Sequence, residues 1–324
     1  MYPIHHHLPD KERSDTLPHM ISPLETPLPT STQTVLCETE LVAVLVSIRN
    51  NTPYILTLDH GSSFPSGPLM VEHRSLQKGM RNWVEHQTGL KLGHTEQLYT
   101  FADPLHGRGH QMVRISYMAF IRQNSEHALS EHSIYAYFPW EDRRDPASAP
   151  LLQTIAKRLD DWARGSTSRQ QRCATVFGLE DHAWNDELSL QRYELLWEAG
   201  LVPESTWHNT PLLPGLSMQR DYRRILATAL SRMRAKIRYT PAVFDLLPRQ
   251  FTLLQLQQAM EALAGRAMHK QNFRRLVQQQ KLVSRTAEYD SPLQGRPAQL
   301  YQFAPETAEH CYLAGAKLPL PAIS

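Results

Sequence analysis

Towards its C-terminal end, the chain carries two segments with helical spacing of apolar residues, followed by two short strand-like segments. In order, these segments are Leu253–Leu263, His269–Gln280, Leu282–Arg285 and Ala298–Phe303. Thr252 is a suitable N-cap for the first helix, and Gly265 ends it. Helix, short turn, second helix and two-stranded ribbon is the order of a winged helix-turn-helix, which places its second helix in the major groove of DNA.

Further upstream, the pattern predicts a β-hairpin and a helix. Leu41–His60 contains two β-rich segments around Asn50–Pro53, a sequence typical of a hairpin turn. His73–Thr88 has helical spacing and is followed by Gly89, the residue type that most often provides a left-handed C-cap. Strands next to a helix predict a mixed α/β region here.

More strands complete this α/β region. Gln97–Phe101 and Gln111–Arg122 are predicted strands joined by the polar loop Asp103–His110. In the second strand, apolar residues alternate with Arg114, Ser116 and Met118, which predicts a strand buried on one face. Tyr135–Trp140 is the predicted last strand of the region.

Three helical patterns follow, Leu151–Ala163, Glu187–Ala199 and Gln219–Tyr239. In the third, an apolar stripe runs along one face and arginines fill the other. We interpret these segments as connector helices, at least one of which forms a homodimer contact. The chain therefore belongs to the α+β class, with a mixed α/β domain (34–147), a helical connector (148–239) and a winged helix (240–304). Residues 1–33 are a proline-rich leader expected to be disordered, and residues 305–324 are a tail.

Charge is divided unevenly along the chain. Gly215–Ala304 carries 15 Lys and Arg against 5 Asp and Glu, a net charge of +10, whereas residues 1–214 carry a net charge of −7. This separation indicates an acidic body with a basic domain that binds a polyanion. The alternative is a solvated basic helix without a nucleic-acid partner.

Side chains near the start of the second helix are the candidates for reading DNA bases, because Arg, Asn and Gln match the edges of guanine and adenine. The predicted DNA-binding residues, including two from the wing, are His269, Lys270, Gln271, Asn272, Arg274, Arg275, Arg285 and Arg296. Winged helices also dock proteins, so that alternative stays open. RNA is disfavoured because aromatic residues are not interleaved with the basic ones.

Composition excludes several other classes. The longest apolar run, around Leu41–Val46, is far shorter than the ~20 residues of a membrane span. Three widely separated cysteines provide neither a disulfide framework nor a CxxC zinc motif, and we see no secretory signal. We therefore expect a cytoplasmic protein with no structural metal.

Gly67–Leu90 resembles a Nudix box, the loop-helix-loop that binds a metal–pyrophosphate in nucleoside-diphosphate hydrolases. Aligned on Gly89 and Leu90, the two metal-binding glutamates of the pattern fall on His86 and Gln87. Magnesium requires carboxylate oxygens, which these positions lack. The resemblance therefore implies a Nudix-like fold without hydrolysis, and we expect a protein that is not an enzyme.

A degenerate Nudix domain followed by a winged helix resembles the Nudix-related transcriptional regulators of NAD biosynthesis (NrtR-like). Thr100–Pro104, Asn185–Glu204, Arg223–Gln257 and Gly295–Phe303 also resemble that family, most closely the branch of alphaproteobacterial NAD regulators known as NadQ. The resemblance implies a homodimeric repressor that binds an operator in double-stranded DNA. It further implies that the Nudix-like domain senses an adenine nucleotide, namely ATP, NAD or ADP-ribose, without a required cofactor.

Without the box glutamates, the nucleotide would need cationic donors for its phosphates and aromatic rings for its adenine. The candidates by position are Arg49, Arg74, Arg81, Arg108 and Arg114, with Trp83, Tyr99 and Phe101 for stacking. In the alternative interpretation, Trp83 is a core residue and the arginines are surface residues. Two other functions stay open, a Nudix-class nucleotide pyrophosphohydrolase and a protein-docking adaptor.

Overall fold

The computed structural model of the protein describes residues 36–102, 110–122, 130–290 and 297–304. The predicted leader and tail, and the loop 103–109, lie outside these residues. The first part of the described chain is a mixed sheet with one helix packed on it. Its elements are β1 (Leu36–Arg49), β2 (Thr52–Leu56), β3 (Ser66–Pro68), α1 (Leu76–Thr88), β4 (Glu96–Ala102), β5 (His110–Phe120) and β6 (Glu131–Ser133).

The sheet is built around the long strand β1. Its strand order is β4-β5-β1-β2-β6, and β3 pairs with the first half of β1. β1 and β2 form the predicted hairpin, with Asn50 and Asn51 both at positive φ. β1 and β5 run parallel over eleven residue pairs, from Leu36–His110 to Val46–Phe120.

Both faces of the sheet are covered. Leu41, Ala43 and Leu45 of β1 pack with Met80 and Val84 of α1. Val42, Val44 and Val46 point into a larger core shared with the helices that follow.

The prediction that β5 is buried on only one face is therefore wrong. Arg114, Ser116 and Met118 are 4%, 0% and 3% exposed, as buried as the apolar residues between them. Alternation in the sequence indicated a solvent-facing side, but the helical core covers that side as well.

Helices dominate the middle of the chain. They are α2 (Ile134–Tyr137), α3 (Ser148–Ala163), α4 (Thr167–Phe177), α5 (Ser189–Glu198) and α6 (Tyr222–Tyr239). The three predicted connector helices correspond to α3, α5 and α6. The helix α4 was not predicted, although Ser166 caps its first turn and Gly178 ends it.

The predicted strand Tyr135–Trp140 is wrong. Ser133 instead caps the short helix α2, and a 3-10 turn, Pro139–Glu141, follows it. Tyr137, Phe138 and Trp140 are at most 1% exposed. Aromatic residues favour strands in general, but here three of them enter the shared core at different angles, which a short helical segment permits.

The C-terminal elements are β7 (Gln250–Thr252), α7 (Leu253–Ala264), α8 (Lys270–Gln280), β8 (Val283–Asp290) and β9 (Ala298–Phe303). The three strands form a second sheet in the order β7-β9-β8. This is the predicted helix-turn-helix with its wing, extended by the strand β7 and by a β8 that is longer than predicted. None of the helices in the described part of the chain has the length and apolarity that a membrane span requires.

Candidate functional site

The helix-turn-helix begins with a capping box. The Thr252 side chain accepts a hydrogen bond from the Gln255 backbone N–H (3.1 Å), and the Gln255 side chain accepts one from the Thr252 N–H (2.8 Å). This reciprocal pair satisfies two donors at the start of α7. The buried residues Leu256, Met260 and Leu263 then fix the helix to the core.

The turn between α7 and α8 is held tightly against the rest of the molecule. Gly265 has a φ of 71°, and a Cβ atom there would lie 2.2 Å from the carbonyl oxygen of Glu141. The Gly265 carbonyl accepts a hydrogen bond from the Arg143 N–H at 2.7 Å. Next to it, Arg266 forms an ion pair with the buried Asp186 at 2.6 Å. The position of α8 is therefore set by residues of the α/β domain and the connector.

A buried ionic cluster supports this turn. The carboxylate of Glu141 accepts hydrogen bonds from Arg192, at 2.6 and 3.0 Å, and from Arg234. Arg234 also donates to the carbonyl of Leu263, near the end of α7 (3.1 Å). Burial alone would raise the pKa of Glu141, but the charges of Arg192 and Arg234 outweigh it, and the pKa lies below its ordinary value. We call Glu141, Arg192 and Arg234 the buried ionic cluster.

This cluster changes the interpretation of the third connector helix, in which arginines were predicted to fill the face opposite the apolar stripe. Arg223 and Arg234 of α6 are each 1% exposed. Arg223 pairs with Glu204 at 3.0 Å. The helical pattern could not reveal this, because the partner carboxylates are distant in the sequence.

The helix α8 presents a basic face to solvent. Phe273 and Val277 are 1% and 2% exposed and anchor the helix. His269, Lys270, Gln271, Arg274 and Arg275 are exposed, and Asn272 is half-buried. Arg275 donates to the side-chain oxygen of Asn272 at 3.0 Å. Six of the eight predicted DNA-binding residues therefore lie along one short helix.

The wing carries the remaining predicted DNA-binding residues. Arg285 is exposed on β8, opposite Tyr301 of β9. Arg296 lies outside the described residues. Tyr289, near the far end of β8, is 61% exposed and was not predicted from the sequence. Tyr289 lies after a register shift in the β8–β9 pairing. That shift is a property of the folded sheet, so the sequence pattern could not indicate this residue.

The box helix α1 begins at Ser75, whose side chain caps it, and ends at Gly89 with a φ of 73°. His86 is exposed on this helix. The Gln87 side chain binds the backbone of β3 twice, accepting from the Ser66 N–H (3.0 Å) and donating to the Ser66 carbonyl (2.8 Å). Where the Nudix pattern has a metal-binding carboxylate, this chain has an amide that holds β3 to α1.

Trp83 is also part of the packing of this helix. A Cβ atom on Gly67 would lie 2.3 Å from the Trp83 ring, so the indole packs directly on the β3 backbone. The indole N–H donates to the Pro68 carbonyl at 2.9 Å. These contacts support the alternative interpretation of Trp83 as a structural residue.

Several predicted nucleotide-binding residues are engaged elsewhere. Arg81 donates to the carbonyl oxygens of Leu92 and Gly93, and so holds the loop after α1. Phe101 is 5% exposed, with the Arg224 guanidinium 5.3 Å from its ring centroid. These contacts count against the prediction for both residues, because Arg81 is engaged with the loop after α1 and the ring of Phe101 is buried.

Arg49 lies at the end of β1 opposite to the segment that pairs with β3. It is nine residues beyond Glu40, which belongs to that segment. At a rise of about 3.3 Å per residue, this separation is roughly 30 Å. Arg49 instead pairs with Glu131 at 3.4 Å and stacks on Tyr54. Arg49 thus has partners on β2 and β6 within the sheet, and its role in nucleotide binding stays a prediction.

Arg114 belongs to a polar cluster that the sequence did not reveal. Its guanidinium donates to the Glu40 carboxylate at 2.8 Å. Glu40 also accepts hydrogen bonds from Tyr222 (2.7 Å), Arg220 (3.0 Å) and Ser66 (3.0 Å). The only local indication of this cluster in the sequence was Glu40, a charged residue at the start of an apolar strand. We call these five residues the Glu40 cluster; it joins β1, β3 and β5 to the start of α6.

The charge of the Glu40 cluster is well defined. Burial would raise the pKa of Glu40, but the hydrogen bond from Tyr222 and the charge of Arg220 outweigh it and lower the pKa. Burial raises the pKa of Tyr222 to about 12, so its hydroxyl stays a donor. Arg114 is thus part of an internal ion pair, which contradicts its predicted role as a free phosphate donor.

Of the predicted nucleotide-binding residues, Arg74 and Tyr99 lie exposed, and Arg108 lies outside the described residues. Tyr99 is 57% exposed and its ring centroid is 4.9 Å from that of Phe101. Among the described residues, no group of three His, Cys, Asp or Glu side chains is arranged to hold a metal ion.

Comparison with known proteins identifies the C-terminal domain. Residues 243–303 match the family described as the NrtR DNA-binding winged helix domain. A 101-residue stretch of the chain is 36% identical to the "ADPR responsive transcriptional repressor NtrR" of Acinetobacter baylyi. That match covers 31% of this chain and 40% of the relative, so it spans well under half of the relative's length.

Solved structures that are similar to this chain include NrtR of Shewanella oneidensis complexed with a 27mer DNA. It is 21% identical, with a TM-score of 0.46 over 84% of this chain and 95% of that one. A MutT/nudix family protein from Enterococcus faecalis is 16% identical, with a TM-score of 0.49 over 84% of this chain and 90% of that one. The α+β class and the similarity to NrtR-like proteins are confirmed, with residues 243–303 as an NrtR-type winged helix.

Proposed function

We propose that this chain, with its NrtR-type winged helix, is a DNA-binding transcriptional repressor of NAD-biosynthesis genes. The observation that carries the proposal is the exposed basic face of α8, anchored by Phe273 and Val277 and flanked by a wing. Arg, Asn and Gln on such a face suit both base edges and phosphates. A homodimer would present two such helices to a palindromic operator. Its place of action would be the cytoplasm, where the operator DNA lies.

The α/β domain is the sensor in this proposal. Its ligand is an adenine nucleotide, namely ADP-ribose, ATP or NAD, and the name of the Acinetobacter relative favours ADP-ribose. We infer no hydrolysis, because Gln87 occupies a metal-ligand position of the box and is committed to the β3 backbone. No cofactor is required beyond the effector.

Two sets of contacts support communication between sensor and output. The start of α6 contacts β1 and β3 through the Glu40 cluster. Twelve residues along the helix from Tyr222, Arg234 reaches the end of α7 and the carbonyl of Glu141. A nucleotide that shifts β3 or the box would act on one end of a helix whose other end holds the turn before α8.

Fluorescence anisotropy with promoter duplexes of NAD-biosynthesis genes tests DNA binding. We expect Arg274→Ala and Arg275→Ala each to cost about 1–3 kcal/mol of binding free energy if the residue contacts a base. Arg164→Ala is the matched control, since Arg164 is an exposed arginine at the end of α3. Binding to the promoter no tighter than to random duplex at physiological salt would contradict the proposal.

The effector is tested by repeating the anisotropy titration with ADP-ribose, ATP and NAD. A shift in DNA affinity with one of them supports a sensor. The competing function, a nucleotide pyrophosphohydrolase, is tested separately by incubating the protein with ADP-ribose or NADH and Mg²⁺. Release of AMP in that assay would overturn the non-enzymatic assignment without affecting the assignment of DNA binding.

A further inference from the structure

A cleft lies where the edge of the larger sheet, the end of α6 and the base of the wing sheet meet. Its volume is about 500 Å³, and a smaller cavity of about 190 Å³ lies beside it. The two share the lining residues His94, Arg122, Lys236 and Asp245. Sites for small molecules typically measure about 300–1,000 Å³. None of the residues predicted to bind DNA or nucleotide lines this cleft.

Basic side chains from four segments of the chain converge on the cleft, namely His94, Arg122, Lys236 and Arg249. Lys236 is neutralised by an ion pair with Glu96. Arg122 and Arg249 are exposed, and neither forms an ion pair with any carboxylate in the described ranges. A guanidinium without a carboxylate partner is well suited to bidentate binding of phosphate oxygens.

The other lining residues indicate what else the ligand carries. Asp245 lines both cavities, and its carboxylate would repel a bare anion unless hydrogen-bond donors lay beside it. The half-buried ring of Phe120 provides apolar surface to the smaller cavity, and the half-buried ring of Phe303 provides it to the larger one. The lining therefore suits a ligand that has a phosphate, hydrogen-bond donors and an apolar part. A phosphorylated molecule of nucleotide size has all three.

We propose that this cleft binds a phosphorylated small molecule, with Arg122 and Arg249 on its phosphate, at a site separate from the Nudix-like box. Arg122 follows β5 of the larger sheet, and Arg249 precedes β7 of the wing sheet. A phosphate held by both arginines therefore links the sensor's sheet directly to the wing. The site goes beyond the proposed function and does not depend on it.

Isothermal titration of the full-length chain with inorganic pyrophosphate tests this site. We expect saturable binding that weakens at least about tenfold in Arg122→Ala/Arg249→Ala, because two charge-assisted contacts are lost. Asp245→Asn should tighten the binding of pyrophosphate, since it removes the opposing charge. A gain in affinity cannot result from misfolding, so this variant keeps the test decisive if the double variant is unstable.

Two controls separate this cleft from other basic surfaces. Arg74→Ala on the box and Arg274→Ala/Arg275→Ala on α8 should leave pyrophosphate binding unchanged. The absence of binding at millimolar pyrophosphate in both the wild type and Asp245→Asn, or an equal loss in the controls, would overturn the proposal. So would a fall in duplex affinity for Arg122→Ala/Arg249→Ala with unchanged pyrophosphate binding, because the arginines would then contact the DNA backbone. The titration contains no DNA, so its failure leaves the proposed repressor function untouched.

Discussion

At the scale of single residues, Gly265 shows how closely the helix-turn-helix is held to the rest of the chain. Its positive φ and its approach to the Glu141 carbonyl both exclude a side chain. We expect Gly265→Ala to lower the free energy of unfolding by at least about 2 kcal/mol, from the left-handed backbone and the clash together. Urea denaturation measures the loss. Gly93→Ala is the control, since a Cβ atom there meets nothing within 4 Å.

A second prediction at this scale concerns Glu141 and the pH dependence of the unfolding free energy. Its pKa is lowered in the folded state, so the ionised form stabilises the protein above its ordinary pKa of 4.5. That contribution is lost as the pH falls through the folded-state pKa. Glu141→Gln should cost about 3–5 kcal/mol near neutral pH, because two buried arginines lose their counter-charge. Below pH 4.5, the unfolding free energy of Glu141→Gln should also vary less with pH than that of the wild type.

A matched exposed pair provides the comparison. Arg172 and Glu198 form a salt bridge with 39% and 40% of their side chains exposed. Glu198→Gln should therefore cost under about 1 kcal/mol, because solvent screens an exposed pair. Equal losses for Glu198→Gln and Glu141→Gln in pH-resolved denaturation would contradict the role given to burial.

At the scale of elements, α1 shows that the glutamine at a metal-ligand position of the box has a structural role. The Gln87 amide both donates to and accepts from the Ser66 backbone, which a carboxylate cannot do. We expect Gln87→Glu to destabilise the protein by about 1–3 kcal/mol, since the Ser66 carbonyl would lose its donor. The loss should shrink at acidic pH as the new carboxyl becomes protonated. His86→Glu, exposed on the same helix, should stay within about 0.5 kcal/mol in the same thermal and chemical denaturation.

The helix α6 was predicted from the sequence, but its ionic contacts with other parts of the chain were not. Its period was evident from the apolar stripe, and Tyr222–Tyr239 matches the predicted end. Its buried arginines were not evident, because their carboxylate partners Glu204 and Glu141 lie elsewhere in the chain. A local sequence pattern shows which residues share a helix face. It does not show which charged residues from other parts of the chain contact that face.

At the scale of the whole molecule, one core runs through the described residues from Val42 of β1 to Leu282 beside the wing. The predicted divisions at 147/148 and 239/240 stay predictions, and no break in this core coincides with them. We therefore expect a single cooperative unfolding transition for the α/β region, the connector and the winged helix. Differential scanning calorimetry with equal calorimetric and van't Hoff enthalpies would agree. A separate low-temperature transition of the winged helix would contradict this expectation.

At this scale, the count of charges in the sequence must also be corrected for burial. The net charge of +10 over Gly215–Ala304 includes Arg223 and Arg234, which are buried in ion pairs and face no polyanion. The cations available to DNA are fewer than the sequence count and are concentrated on α8. The sequence count therefore overestimates the number of cations on the surface.

The sequence by itself determined the local features of this protein. The hairpin at Asn50–Asn51, the C-cap at Gly89 and the capping box at Thr252 depend on residues within a few positions of each other. The tertiary structure alone decided that Arg114 is an internal ion-pair partner, that Gln87 holds β3, and that the turn at Gly265 rests on Glu141. Each of those outcomes depends on which distant residues meet, and burial then fixes whether a charge is free to bind a ligand or already committed within the fold.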